Sequence, residues 1–119
     1  PYKKPVFFEE VDTDGRPGYS KCVHEIGAGS KGLGNWEKQY YTRRLENVKV
    51  EGGLLKITER KEQDGNSEYT SARLLTEGKF DFTYGKVEVR AKLPFGEGTW
   101  PAIWMLGSNI RTEGWPAAC

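Results

Sequence analysis

Glu97-Gly98-Thr99-Trp100-Pro101-Ala102-Ile103-Trp104-Met105-Leu106-Gly107 holds two of the four tryptophans and the single methionine of the chain. In extended backbone, alternate side chains face opposite sides. Trp100, Ala102, Trp104 and Leu106 then share one face, and Pro101, Ile103 and Met105 the other. Both faces are apolar, which predicts an interior strand covered on two sides. Two large rings on one face of a strand either fill a core or line a concave surface on which flat ligands stack. The spacing alone leaves both readings open.

The sequence leading into this stretch is β-patterned. In residues 86–93, Val87, Val89, Ala91 and Leu93 alternate with Lys86, Glu88, Arg90 and Lys92, the signature of a half-buried antiparallel strand. Its charged row is a solvated face. Residues 79–84 place Phe80, Phe82 and Tyr84 on one side of another predicted strand. Further strands are predicted at 5–10, 20–26, 37–42 and 68–75. Residues 47–50 and 54–60 alternate around Glu51-Gly52-Gly53 and read as a hairpin, whereas 61–67 reads as a polar loop. No segment carries helical periodicity over two turns. The fold class is all-β, antiparallel, a sandwich or barrel in one domain spanning residues 1–119.

Composition narrows the function classes. The formal net charge is +1 and the basic residues form no run, so neither nucleic acid nor an anionic membrane surface is implied as a partner. No apolar run approaches spanning length. Pro1-Tyr2-Lys3-Lys4-Pro5 is not a signal peptide and no initiator methionine is present, so the chain reads as a processed form, a fragment or an engineered piece. Gly27-Ala28-Gly29-Ser30-Lys31-Gly32 fits G-x-G-x-x-G, but a dinucleotide site needs a helix to open directly after it. Leu33-Gly34-Asn35-Trp36 has no helical period, so this is read as a loop. Cys22 and Cys119 are either a disulfide pair or two free thiols, and with the single His24 they make no zinc set.

Five ordered runs together carry a resemblance. They are Gln39-Tyr40-Tyr41-Thr42, Glu46-Asn47-Val48-Lys49-Val50, Tyr69-Thr70-Ser71-Ala72-Arg73-Leu74, residues 84–94, and Gly98-Thr99-Trp100-Pro101-Ala102-Ile103-Trp104-Met105-Leu106-Gly107. The chain resembles glycoside hydrolase family 16, and within it the laminarinases, which are endo-β-1,3-glucanases. The resemblance implies a β-jelly-roll of two curved antiparallel sheets, whose concave sheet holds a β-glucan chain. It implies substrate contacts from Trp100, Trp104, Trp115, Arg73 and Asn35, with Glu37 and Gln39 near the cleft. It also implies secreted, extracellular bacterial parents. No cofactor is required. A structural calcium is implied through Glu10 and a carbonyl near Gly53, with too few ligands here to hold it well.

Two departures stand out. In the family, the segment matching Trp115-Pro116-Ala117-Ala118 leads through glycine into a Glu-Ile-Asp-Ile-Met-Glu strand that carries nucleophile and acid/base. Here Cys119 occupies that glycine position, and no Glu-x-Asp-x-x-Glu pattern occurs elsewhere in the chain. No catalytic residue is therefore assigned. Cys22 stands where the family usually has tryptophan, which suggests cysteines placed for a disulfide or an attachment. Three readings follow. One is a β-1,3-glucanase chain lacking its catalytic strand. Another is a non-catalytic β-glucan-binding module. The third is an engineered half-jelly-roll. In each, the half-sandwich is expected to be completed by strand exchange, a second copy or a complementing half.

Overall fold

The structure is a computed structural model that describes residues 4–28 and 36–118. Two compact units divide it, Lys3–Phe80 and Asp81–Cys119. The first carries all the regular β-structure. Its strands are β1 (Val23–Glu25), β2 (Gly27–Ala28), β3 (Gln39–Tyr41), β4 (Val48–Glu51), β5 (Leu54–Ile57), β6 (Arg60–Asp64), β7 (Ser67–Ser71) and β8 (Arg73–Leu75). A four-stranded sheet runs β2-β3-β7-β6, and β1-β8 and β4-β5 form two-stranded sheets. The chain is all-β apart from one helical turn. One pair departs from the antiparallel expectation: β3 and β7 run parallel, with Gln39 opposite Tyr69 and Tyr41 opposite Ser71. Between them the chain makes β4, β5 and β6, a crossover long enough for parallel pairing.

The predicted hairpin is present. Val48 lies opposite Ile57 and Glu51 opposite Leu54. Gly52 (φ 61°) and Gly53 (φ 73°) take consecutive left-handed conformations, the turn whose twist matches paired strands. Asp14 Oδ1 accepts a 3.0 Å hydrogen bond from the Gly52 amide. Gly15 and Val50 exchange bonds of 2.8 and 2.7 Å, tying the 12–15 turn to the hairpin. At the hairpin end, Glu51 accepts from Lys56 at 2.6 Å and from Lys49 at 2.9 Å. The hydrogen bonds from Lys56 and then Lys49 lower its pKa to about 2. A depressed carboxylate stabilises the fold above its unfolded value near 4.5, and that contribution fades as pH falls toward 2. The group is exposed, so the contribution is small. Lys56→Met is expected to move the Glu51 titration midpoint, followed by NMR, back up toward 4.5.

Residues 61–67 do not form the predicted loop. Most of them enter β6 and β7, which turn at Gly65 (φ 57°). The run Arg60-Lys61-Glu62-Gln63-Asp64 is polar on both faces, which hides a strand from a hydrophobicity reading. What holds it is the ladder to β7 and a buried polar cluster. Asn47 is fully buried, and its Oδ1 accepts from Thr42 Oγ1 at 2.5 Å and from Arg44 Nη2 at 3.0 Å. Its Nδ2 donates to the Thr58 carbonyl at 3.1 Å and to Thr70 Oγ1 at 2.9 Å. Thr70 Oγ1 in turn donates to Glu62 Oε1 at 2.5 Å, and Arg44 pairs with the same carboxylate. Val48, Val50 and Ala72 are buried in the same unit. The predicted 68–75 strand is split at Ala72, so that β7 pairs with β3 and β6 while β8 pairs with β1.

Four predicted strands, at 5–10, 79–84, 86–93 and 100–106, are absent among the described residues. Residues 5–10 form none, nor do 81–107, which include the alternating 86–93 segment and Trp100 to Leu106. Val87, Val89, Leu93, Ile103 and Met105 are exposed. The pattern records which faces suit burial; a strand also needs a neighbour to bond, and among the described residues no strand pairing involves 81–107. The second unit instead closes a loop at its far end. Gly107 donates to the Ala118 carbonyl at 2.9 Å, and α1 (Ile110–Glu113) is a single turn inside that loop. A Cβ at Gly107 would collide with the Ala118 carbonyl, so only glycine permits this closure. The Trp115-Pro116 peptide is cis. No helix among the described residues is long and apolar enough to cross a membrane.

Candidate functional site

In the first unit, a polar stripe runs across β1, β8 and β3. Antiparallel pairing sets Glu25 directly opposite Arg73. Their side chains form an ion pair at 2.7 Å, with only 11% and 18% of the respective side chains exposed. The Arg73 guanidinium also lies over the Tyr41 ring, 5.9 Å from its centroid. Gln39 shares a face of β3 with Tyr41 and donates to its hydroxyl at 2.8 Å. Glu37 lies just before β3, and its Oε2 is buried without a hydrogen-bond partner. Gln39, Tyr41, Arg73 and Glu25 are thus linked contact by contact between β3 and the β1–β8 pair, and with Glu37 they supply donors and acceptors suited to the hydroxyls of a sugar.

Arg73, which the resemblance implies as a substrate contact, sits in an ion pair with Glu25. Glu25 and Tyr41 were not anticipated. The signal for Glu25 was the β1–β8 register, which sets it opposite Arg73, and that for Tyr41 was its place two residues after Gln39 on one face of β3.

The second unit carries Trp100, Trp104 and Trp115. All three are exposed, Trp100 at 89% and Trp115 at 75%. Neither Trp100 nor Trp104, for which the spacing left two readings open, is buried within this unit. An exposed indole offers a flat apolar face to stack on a pyranose ring. Asn35 and Cys119 lie outside the described residues. Cys22 is half-buried with a free thiol, and burial raises its pKa.

The implied calcium was tested on its two named residues. Glu10 and Gly53 are exposed, and the nearby Asp14 oxygen is engaged by the Gly52 amide. One carboxylate and one carbonyl fall far short of the six to eight oxygens calcium takes. No group of three or more His, Cys, Asp or Glu side chains among the described residues could hold a metal. The residues present do not fit the ion, and no chemistry is assigned to it.

Comparison with known proteins converges on one family. The pattern defining Glycosyl hydrolases family 16 matches residues 35–114. A β-glucanase of Rhodothermus marinus is 51% identical over 98% of this chain and 41% of its own length. The crystal structure of the Rhodothermus marinus laminarinase superposes with a TM-score of 0.86 at 49% identity, covering 93% of this chain and 45% of that one. A non-specific endo-β-1,3(4)-glucanase co-crystallised with 1,3-β-D-cellotriosyl-glucose superposes with a TM-score of 0.87 at 46% identity, covering 95% of this chain and 46% of that one. The chain therefore spans somewhat under half the length of these relatives.

Proposed function

The chain belongs to glycosyl hydrolases family 16 and has the fold of its laminarinases, and from that premise we propose that it supplies the glucan-binding half of a retaining β-glucanase. Retaining hydrolysis needs two carboxylates about 5–5.5 Å apart, one to attack the anomeric carbon and one to shuttle a proton. The sequence has no Glu-x-Asp-x-x-Glu run to place them on one strand. We infer that residues 1–119 contribute glucan contacts, and no catalytic carboxylate is assigned among them.

The observation that carries this reading is the exposure of the indoles of Trp100, at 89%, and Trp104, at 52%, within a family of glucanases. Stacked aromatic contacts contribute about 0.5–1.5 kcal/mol each beyond area burial. Trp100→Ala and Trp104→Ala are each expected to weaken laminari-oligosaccharide binding about fivefold, read by calorimetry or tryptophan fluorescence. Unchanged affinity in the double variant would remove these residues from the site. A non-catalytic β-glucan-binding module is the second reading, favoured by 57% identity over 49 residues to a β-1,3-glucan-binding protein of Penaeus monodon. The exposed apolar side chains of 81–107 support completion by another chain, either a second copy or a segment that brings the catalytic carboxylates.

A further inference from the structure

A cavity of about 230 Å³ opens in the first unit, bounded by Tyr19, Cys22, Val23, His24, Arg43 and Lys79. It shares no residue with the polar stripe described above. Its charge is one-sided. Arg43 and Lys79 form no ion pair among the described residues. Arg16 is anchored beside them, its Nη1 donating to the Arg43 carbonyl at 2.6 Å. The other nearby cation, Lys21, is already paired with Glu9 at 3.1 Å.

His24 is the polar group of the wall. The Tyr19 ring leans over it at a centroid distance of 5.9 Å. Both of its ring nitrogens are buried, and neither has a hydrogen-bond partner. Buried polar atoms are almost always satisfied, so two orphaned nitrogens on one ring call for a partner. Burial, then Arg16 and Arg43, lower its pKa and keep the ring neutral, leaving one N–H to donate. A metal does not meet these conditions. Only Cys22 and His24 could ligate it, the Cys22 thiol is held protonated by burial, and the surrounding side chains are cationic.

We propose that this cavity binds a small oxyanion of the sulfate or phosphate class, held by Arg43 and Lys79 with the His24 ring donating. Arg43 offers a planar fork of donors matched to such oxygens, and Lys79 a compact positive charge. The same group is presented by the free ion or by an ester on a saccharide.

The test is an NMR titration of the His24 ring and the Arg43 side chain in the whole chain. Sodium sulfate, sodium phosphate and glucose 6-sulfate are each compared with sodium chloride at matched ionic strength. Saturable shifts at His24 with sulfate or phosphate support a free-ion site, and tighter saturation with glucose 6-sulfate supports an ester site. Arg43 and Lys79 are exposed, so Arg43→Gln with Lys79→Gln leaves the fold intact, and this pair is expected to weaken binding at least tenfold. No saturable response to any of the three, an equal response to chloride, or unchanged affinity in the double variant would each overturn the site.

Discussion

Asn47→Leu is expected to destabilise the chain by about 4 kcal/mol, a large share of the 5–15 kcal/mol typical of a domain. Asn47 is wholly buried, and both ends of its amide are in use. Leucine of similar shape leaves Thr42, Thr70 and the Thr58 carbonyl without that partner in a dry interior. Each buried group left unsatisfied costs about 1–3 kcal/mol. The cluster also joins the β4–β5 hairpin to the sheet, since Thr70 lies on β7 and Glu62 on β6. Urea unfolding followed by circular dichroism measures the loss, and hydrogen exchange at the Val48 and Val50 amides locates it. Thr70→Val, which removes one hydroxyl from the same cluster, is expected to cost about half as much. Equal stability of Asn47→Leu and the parent would show that the polar cluster does not hold these strands together.

Arg73→Met is the second large effect. The substitution leaves the mostly buried Glu25 carboxylate without its 2.7 Å partner, and breaking such a pair costs about 3–5 kcal/mol. Arg73 therefore has a structural role whatever it does for ligand. Glu25→Gln separates the two. It relieves the charge on one side while leaving the guanidinium in place over Tyr41. If Arg73 also bonds sugar, Glu25→Gln keeps most of the laminari-oligosaccharide affinity, and Arg73→Met loses it even at temperatures where it remains folded. If Arg73 is purely structural, both variants bind in proportion to the folded fraction. The Glu25→Gln/Arg73→Met double variant completes the cycle, and its recovery of stability relative to Arg73→Met alone measures the cost of the stranded carboxylate.

How much of this was legible in the sequence follows from how local each signal is. The β4–β5 hairpin was legible because alternation and the Gly52-Gly53 turn sit in one short window. β6 was not, because its five polar residues earn their place through Thr70 and Arg44, which are distant in sequence. Asn47 reads as a solvent-facing polar position in an alternating strand, yet it is buried by partners from Thr42, Thr58 and Thr70. The reverse failure is 86–93, the cleanest alternation in the chain, which forms no strand among the described residues. Binary pattern encodes the faces a strand will bury; pairing depends on a neighbour. At the candidate site, spacing and residue type pointed to Trp100 and Trp104 and the resemblance to Arg73, whereas Glu25 emerged only from strand register and Tyr41 only from its contact with Arg73.

The central proposal, that residues 1–119 contribute glucan-binding contacts but not the two catalytic carboxylates, is tested most directly by reducing-sugar release from laminarin. The purified chain, its mass confirmed to end at Cys119, is expected to release none while still binding laminari-oligosaccharides. Turnover that scales with chain concentration would contradict the claim, because two carboxylates of this chain would then be performing the displacement.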